Sequence, residues 1–287
     1  MEYPPQPAPV KYADCNGVRL AYLEQGQGPL VICLHGFPDS AHSFDHLTQV
    51  LVDHGYRVVA PFLRGYYPSG LAADNDYSMP AVAADVLALI EQLGETQASL
   101  IGHDWGGIAA YTAANISPQK IKQLIVLAVP HMNQSRFSWA QLKKSWYVLF
   151  FQLPWLPERV VARNNFAFID CLYRHWSPSW SAAEYKLAPV KRSLGFAGGV
   201  KAALAYYRAM IRGSKAEHRE VMSRQTNVPS LWIVGEEDGS VGIDQFQGIE
   251  QAFSGDFDLL RVAGAGHFVH REAAELVHNK ILSKLSP

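Results

Sequence analysis

The chain has 287 residues, 48% of them hydrophobic, enough to bury a large core in one sizeable domain or two modest ones. Its formal net charge of −1 gives no electrostatic reason to expect nucleic acid or an anionic membrane as a partner. Three widely spaced cysteines, Cys15, Cys33 and Cys171, argue against a disulfide framework and lack metal-ligand spacing, so no metal or cofactor is expected.

The proline-rich stretch Met1 to Pro9 lacks the apolar segment of a secretory signal, and no run approaches a bilayer span, so a soluble cytoplasmic protein is expected. Lys11 to Cys15 and Val18 to Glu24 read as strands around an Asn16-Gly17 turn. Leu30 to Leu34 is a continuous apolar run suited to a strand buried on both faces, and it ends at His35-Gly36-Phe37-Pro38. A helix is expected over Ala41 to His54, a strand over Tyr56 to Ala60, and then the turn-rich loop Arg64 to Gly70. Val82, Val86, Leu89, Ile90 and Leu93 recur at helical spacing, which predicts an amphipathic helix over Met79 to Leu93.

Ala98 to Ile101 is the next buried strand. It enters Gly102-His103-Asp104-Trp105-Gly106-Gly107 and leaves through a small-residue helix, Ile108 to Ala114. Glycines two before and two after Asp104 have the spacing of a nucleophile elbow, a turn so tight that bulkier neighbours would collide. Here the raised side chain is a carboxylate. A further strand, Ile121 to Val129, completes an alternation of strands and helices that predicts an α/β fold with a mostly parallel central sheet and helices on both faces.

From residue 133 to 224 no buried strand is evident and aromatic residues crowd in, Trp139, Trp155, Trp180 and Tyr185 among them, so an inserted helical cap is expected. The core then comprises residues 1–132 and 225–287. Strands resume with Pro229 to Val234 and Phe257 to Val262, each followed by a glycine-containing turn, and the chain closes with a helix over Glu272 to Leu285.

Asp104, Asp238 and His267 each fall just past a strand's carboxyl end, the edge where open α/β sheets bind ligands. Their order, nucleophile, acid, histidine, is the α/β-hydrolase order. His267 reads as the base and Asp238 as the group that fixes its tautomer, with Glu236 and Glu237 as rivals for the acid. A carboxylate of ordinary pKa about 4 is ionised at neutral pH and attacks without help, forming an ester that His267-activated water then hydrolyses. Such a nucleophile requires a strained ring or a built-in leaving group. The backbone amides of Phe37 and Trp105 are placed to form the oxyanion hole.

Over essentially its whole length the chain resembles the α/β-hydrolase-fold epoxide hydrolases. The resemblance rests on His35-Gly36-Phe37-Pro38, Arg64-Gly65-Tyr66, the Asp104 elbow, the Asp238 turn and Gly266-His267. It implies an inserted cap bearing two tyrosines that protonate the epoxide oxygen. Tyr147, in Trp146 to Pro154, matches the first, and Tyr207, before Arg208, the second, with Tyr206 its neighbour and rival. It further implies a small-molecule epoxide and water as substrates, no cofactor and a pocket wall including His35, Pro38, Trp146 and Phe151; oligomeric state stays open. His35 and His103 also read as structural histidines. The chain departs from the family pattern at Pro61-Phe62-Leu63 and Tyr67-Pro68, which touches the shape of that loop. Haloalkane dehalogenation uses the same acid–base set and is the alternative, though a second halide donor is missing where Phe37 stands. A fluoroacetate-type dehalogenase would carry Arg in place of Trp105. A binding protein with a vestigial site is the reading from outside enzymology, and the complete set of catalytic groups argues against it.

Overall fold

The structure is a computed structural model that describes residues 9–134, 138–180, 184–213 and 215–285; the expectations for residues 1–8 lie outside it. The first half of the chain forms strands β1 (Val10–Cys15), β2 (Val18–Gln25) and β3 (Leu30–Leu34), helix α1 (Asp45–Asp53), strand β4 (Arg57–Pro61), helix α2 (Met79–Gln92), strand β5 (Ala98–His103), helix α3 (Trp105–Ile116) and strand β6 (Ile121–Leu127). Among the described residues seven helices follow: α4 (Trp139–Lys144), α5 (Trp146–Phe150), α6 (Leu156–Ala162), α7 (Ala167–Trp176), α8 (Glu184–Leu194), α9 (Gly199–Ile211) and α10 (Ala216–Ser223). Strands β7 (Ser230–Gly235) and β8 (Phe257–Val262) and helices α11 (Val269–Glu272) and α12 (Ala274–Leu285) end the described chain.

The strands form one eight-stranded sheet in the order β1-β2-β4-β3-β5-β6-β7-β8. β1 and β2 run antiparallel to their neighbours, and from β4 through β8 every pairing is parallel. β3 and β5 are buried at every residue, as strands covered by helices on both faces must be. Leu100 and Ile101 are wholly buried, and each such side chain contributes about 1.5–3 kcal/mol of transfer free energy. The chain runs from β3 outward to β4 and then crosses back to β5 on the other side of β3. That reversal opens a crevice between the carboxyl ends of β3 and β5, where His35 to Pro38 and Asp104 emerge.

Several element boundaries differ from the sequence expectation. The helix expected from Ala41 begins as a 3-10 turn over Ala41–Phe44 and becomes α-helical only at Asp45. β6 stops at Leu127 because Ala128 takes a left-handed φ of 60°. The final helix is broken at Ala273, since the Glu272 carboxylate is drawn back to accept the N–H groups of Gly266 at 2.7 Å and Phe268 at 2.9 Å. Among the described residues no helix is long and apolar enough to cross a membrane.

Candidate active site

Asp104 caps the N-terminus of α3 with φ 51° and ψ −120°, a strained conformation for a residue with a side chain. The strain is held because the neighbouring chain has no room to relax. A Cβ on Gly106 would lie 2.1 Å from the Leu34 carbonyl oxygen, and one on Gly102 would lie 2.3 Å from that of Gly106. The turn aims the carboxylate at the loop after β3. There the Phe37 N–H donates to Asp104 Oδ1 at 2.8 Å, and the Trp105 amide supports the same carboxylate.

The other oxygen, Oδ2, faces His267 Nε2 at 3.8 Å, too long for a hydrogen bond. His267 Nδ1 lies 2.8 Å from Asp238 Oδ2, and a carboxylate there requires the proton on Nδ1, leaving Nε2 as a bare lone pair turned toward Asp104. Asp238 is nearly fully buried, and its Oδ1 accepts the N–H groups of Ser240 at 2.7 Å and Val241 at 2.9 Å. Glu236 and Glu237 point to solvent, so the structure brings Asp238 alone of the three to the histidine.

Burial pushes the Asp104 carboxyl up to about 6, against the pull of His267 and of the Phe37 and Trp105 amides. This corrects the expectation of an ordinary carboxylate near 4, though the group is still mostly ionised at pH 7. Burial alone would push His267 down, but Asp238, Asp104 and Glu272 together outweigh it and the imidazole is raised.

Two phenols from the helices between β6 and β7 stand near this centre. Tyr147 on α5 and Tyr207 on α9 are both buried, with ring centroids 5.9 Å apart. The Tyr207 ring meets Phe37 at 5.4 Å and Trp105 at 4.7 Å, each edge to face. Its hydroxyl lies beside the Trp105 indole N–H, which favours its ionised form, without either atom completing a hydrogen bond. Tyr206 faces elsewhere and donates to the Arg64 carbonyl at 2.8 Å. The Tyr147 hydroxyl is paired with Ser240 Oγ at 2.8 Å. Burial raises both phenols well above their usual range.

The remaining expected wall residues divide. Phe151 is fully buried against Phe37, Tyr147 and Tyr207. Pro38 presents its carbonyl to the Tyr173 hydroxyl at 3.1 Å. His35 bridges the loop, its Nδ1 on the Gly36 carbonyl and its Nε2 accepting the Leu63 N–H, and burial pushes it down to about 4. Trp146 is 45% exposed and packs on Phe150 and Phe168 at the outer side of the cap. His103 accepts no proton readily, being buried, and its Nε2 donates to the His267 carbonyl at 3.0 Å.

Two residues beside the site escaped sequence reasoning. Trp176, at the end of α7, lies edge-on to the His267 ring at 4.9 Å, and its carbonyl accepts the N–H groups of both Gly239 and His267. A Cβ on Gly239 would lie 2.0 Å from the His175 carbonyl, so only glycine lets the cap chain come this close. Ser240, the partner of Tyr147, is the other. Their only signal was position: one in an aromatic-rich insertion, one two residues past an expected acid.

The chain matches the family model described as alpha/beta hydrolase fold over residues 29–274. It is 31% identical to the AB hydrolase superfamily protein YfhM of Bacillus subtilis, the match covering 96% of this chain and 97% of that one. It is 28% identical to epoxide hydrolase A of Mycobacterium tuberculosis, covering 91% and 92%. The crystal structure of the Bacillus megaterium epoxide hydrolase with an inhibitor superposes with a TM-score of 0.83 at 26% identity, covering 96% of this chain and 99% of that one.

Proposed function

The chain belongs to the α/β-hydrolase-fold family, and from that premise we propose that it hydrolyses small-molecule epoxides to vicinal diols. The observation that carries this reading is the placement of two buried phenols, Tyr147 and Tyr207, with ring centroids 5.9 Å apart and the Asp104 charge acting on both, beside an elbow carboxylate that faces a paired histidine. The likeness to two epoxide hydrolases along nine-tenths of the chain supports the same reading.

In this mechanism Asp104 Oδ2, the oxygen free of the Phe37 amide, attacks an epoxide carbon. The ring carbon–oxygen bond breaks, and the opening oxygen takes a proton from the phenols, leaving the electron pair on a tyrosine oxygen. His267 Nε2 then removes a proton from water, whose oxygen attacks the ester carbon while the Phe37 and Trp105 amides hold the developing oxyanion. Collapse frees Asp104, now carrying one oxygen from water, and the diol. The two protons of that water end on the second diol hydroxyl and on the phenolate. No cofactor enters the cycle. On the same reading residues 133–224 form the cap over a core of residues 1–132 and 225–287, and the enzyme works in the cytoplasm.

The test is a single turnover of styrene oxide in heavy-oxygen water with enzyme in excess. The expected result is an unlabelled diol and label in the Asp104 carboxylate, with Asp104→Asn inactive. Label appearing directly in the diol would overturn the covalent mechanism.

Carbon–halogen cleavage is a second reading, favoured by the buried indole N–H groups of Trp105 and Trp176, which complete no hydrogen bond among the described residues. It leaves the two phenols without a task. Halide release from 1,2-dibromoethane, with no diol from styrene oxide, would select it.

A further inference from the structure

The turn that carries the triad acid is also the seat of the cap's first tyrosine. Helix α4 is fastened to it at several points: Gln141 Nε2 donates to the Ser240 carbonyl at 2.9 Å, Gln141 Oε1 accepts the Gly242 N–H at 2.8 Å, and Lys144 donates to the Asp238 carbonyl. Ser138 Oγ reaches Asp244 at 3.2 Å. Only one link in this seam touches the chemistry. Ser240, 1% exposed, gives its N–H to Asp238 Oδ1 and shares a hydrogen bond with the Tyr147 hydroxyl.

The proton count of that link is informative. Two hydroxyls share one hydrogen bond, so one proton lies in the bond and the other is free to point elsewhere. No other hydrogen-bond partner meets either oxygen among the described residues. If Tyr147 donated, it would have no proton for an opening epoxide, and Ser240 would carry a buried O–H without an acceptor. If Ser240 donates, the Tyr147 proton is free to turn toward substrate and the phenol oxygen is already solvated by a donor.

We propose that Ser240 is a positioning residue for epoxide opening: its hydroxyl donates to Tyr147, freeing the phenol proton for the substrate oxygen and holding the phenolate that remains. The proposal rests on the reading of Tyr147 as a ring-opening acid. When the phenol O–H breaks and its proton passes to the opening oxygen, the electron pair left on Tyr147 meets the Ser240 O–H, and a hydrogen bond to an ionised acceptor is stronger than one to a neutral phenol. The link therefore tightens as the ring opens, which is the property that accelerates a step. Ser240 holds Asp238 through its backbone, so changing its side chain leaves the triad contact in place.

The experiment is a double-mutant cycle on single-turnover alkylation by styrene oxide, comparing wild type, Ser240→Ala, Tyr147→Phe and the double variant, with Ser240→Thr as the variant that keeps the hydroxyl. Ser240→Ala is expected to slow alkylation about tenfold, the worth of one hydrogen bond, and ester hydrolysis by less than about twofold. In the Tyr147→Phe background the same change is expected to cost less than about twofold, and Ser240→Thr to stay within about threefold of wild type. An equal loss with and without Tyr147, or a loss confined to ester hydrolysis, would overturn the proposal and leave epoxide hydrolysis standing. A wild-type chain that opens no epoxide would overturn both.

Discussion

The carbonyl oxygen of Trp176 accepts the backbone N–H of His267 at 3.0 Å, so the end of α7 holds a histidine that lies just past the sheet's last strand. The next residue strengthens the hold. Ser177 Oγ accepts the same N–H at 3.1 Å while donating to Glu272 at 2.6 Å. The His267 imidazole is therefore fixed from behind by Asp238 and from the side by the end of α7.

Removing the Ser177 hydroxyl should loosen the base without touching the nucleophile. Ser177→Ala is expected to slow ester hydrolysis by about 3–10-fold, the worth of one hydrogen bond of about 0.5–1.5 kcal/mol, and to leave alkylation near its original rate. Transient kinetics that separate the two half-reactions check this. Equal slowing of both would place Ser177 in general support of the fold.

Activity should fall on the acid side for two reasons that act in the same direction. Asp104 attacks only when ionised, and burial has raised it to about 6, so the alkylation rate should drop as pH falls through that value. His267 accepts a proton only when neutral; in the free enzyme the charges of Asp238, Asp104 and Glu272 raise it against burial, alkylation removes the Asp104 share, and ester hydrolysis should fail as pH falls through the range of the histidine in the ester. Single-turnover rates of each step measured between pH 5 and about 8 should show an acid limb for each step, that of alkylation lying near 6. Flat alkylation down to pH 5 would contradict the burial of Asp104.

The elbow was legible because its constraint is local: Gly102 and Gly106 stand two residues either side of Asp104, and each is required by carbonyl groups already fixed by the strand and helix it joins. The pairing of His267 with Asp238 rather than with Glu236 or Glu237 is a matter of offset past β7, which the sequence displays. What stayed hidden depends on distant pieces of chain. Ser240 meets Tyr147 across 93 residues, and Trp176 reaches Gly239 and His267 from the cap, contacts that no local pattern encodes. The ordinary pKa expected for Asp104 failed for the same reason, because the burial that raises it is assembled from several elements at once. Trp146 shows the converse: it neighbours Tyr147 in sequence but turns outward, as adjacent helical residues must.

The adjacent tyrosines on α9 should separate cleanly on substitution. Tyr207→Phe removes a hydroxyl at the site and is expected to slow ring opening about 100-fold, the lower end of general acid catalysis. Tyr206→Phe removes a hydrogen bond to the Arg64 carbonyl and should cost about 1 kcal/mol of stability while alkylation stays within about threefold. Denaturant titration alongside single-turnover kinetics distinguishes them. A reversal, with Tyr206 carrying the rate loss, would mean that α9 is turned differently in the working enzyme.

The loop that Tyr206 grips is anchored beneath by a buried ion pair. Arg64 is 1% exposed, and its guanidinium meets Asp85 on α2 through two nitrogens, Nε at 2.6 Å, while also donating to the Asp76 carbonyl. Net stabilisation from such a pair is small, but its disruption is not, because a lone charge is left without water. Asp85→Ala should therefore destabilise the fold by about 3–5 kcal/mol, more than any of the tyrosine changes. Asp85→Asn, which keeps a hydrogen-bond acceptor, should cost less. The same loop carries Tyr66, whose buried hydroxyl makes no hydrogen bond among the described residues and whose ring packs on His35 at 4.7 Å. Loosening Arg64 should thus reach the turn bearing Phe37, and the fraction of Asp85→Ala that remains folded should turn over styrene oxide more slowly. Urea unfolding combined with active-site titration separates lost protein from slowed protein; full activity per folded molecule would show that the anchor serves stability alone.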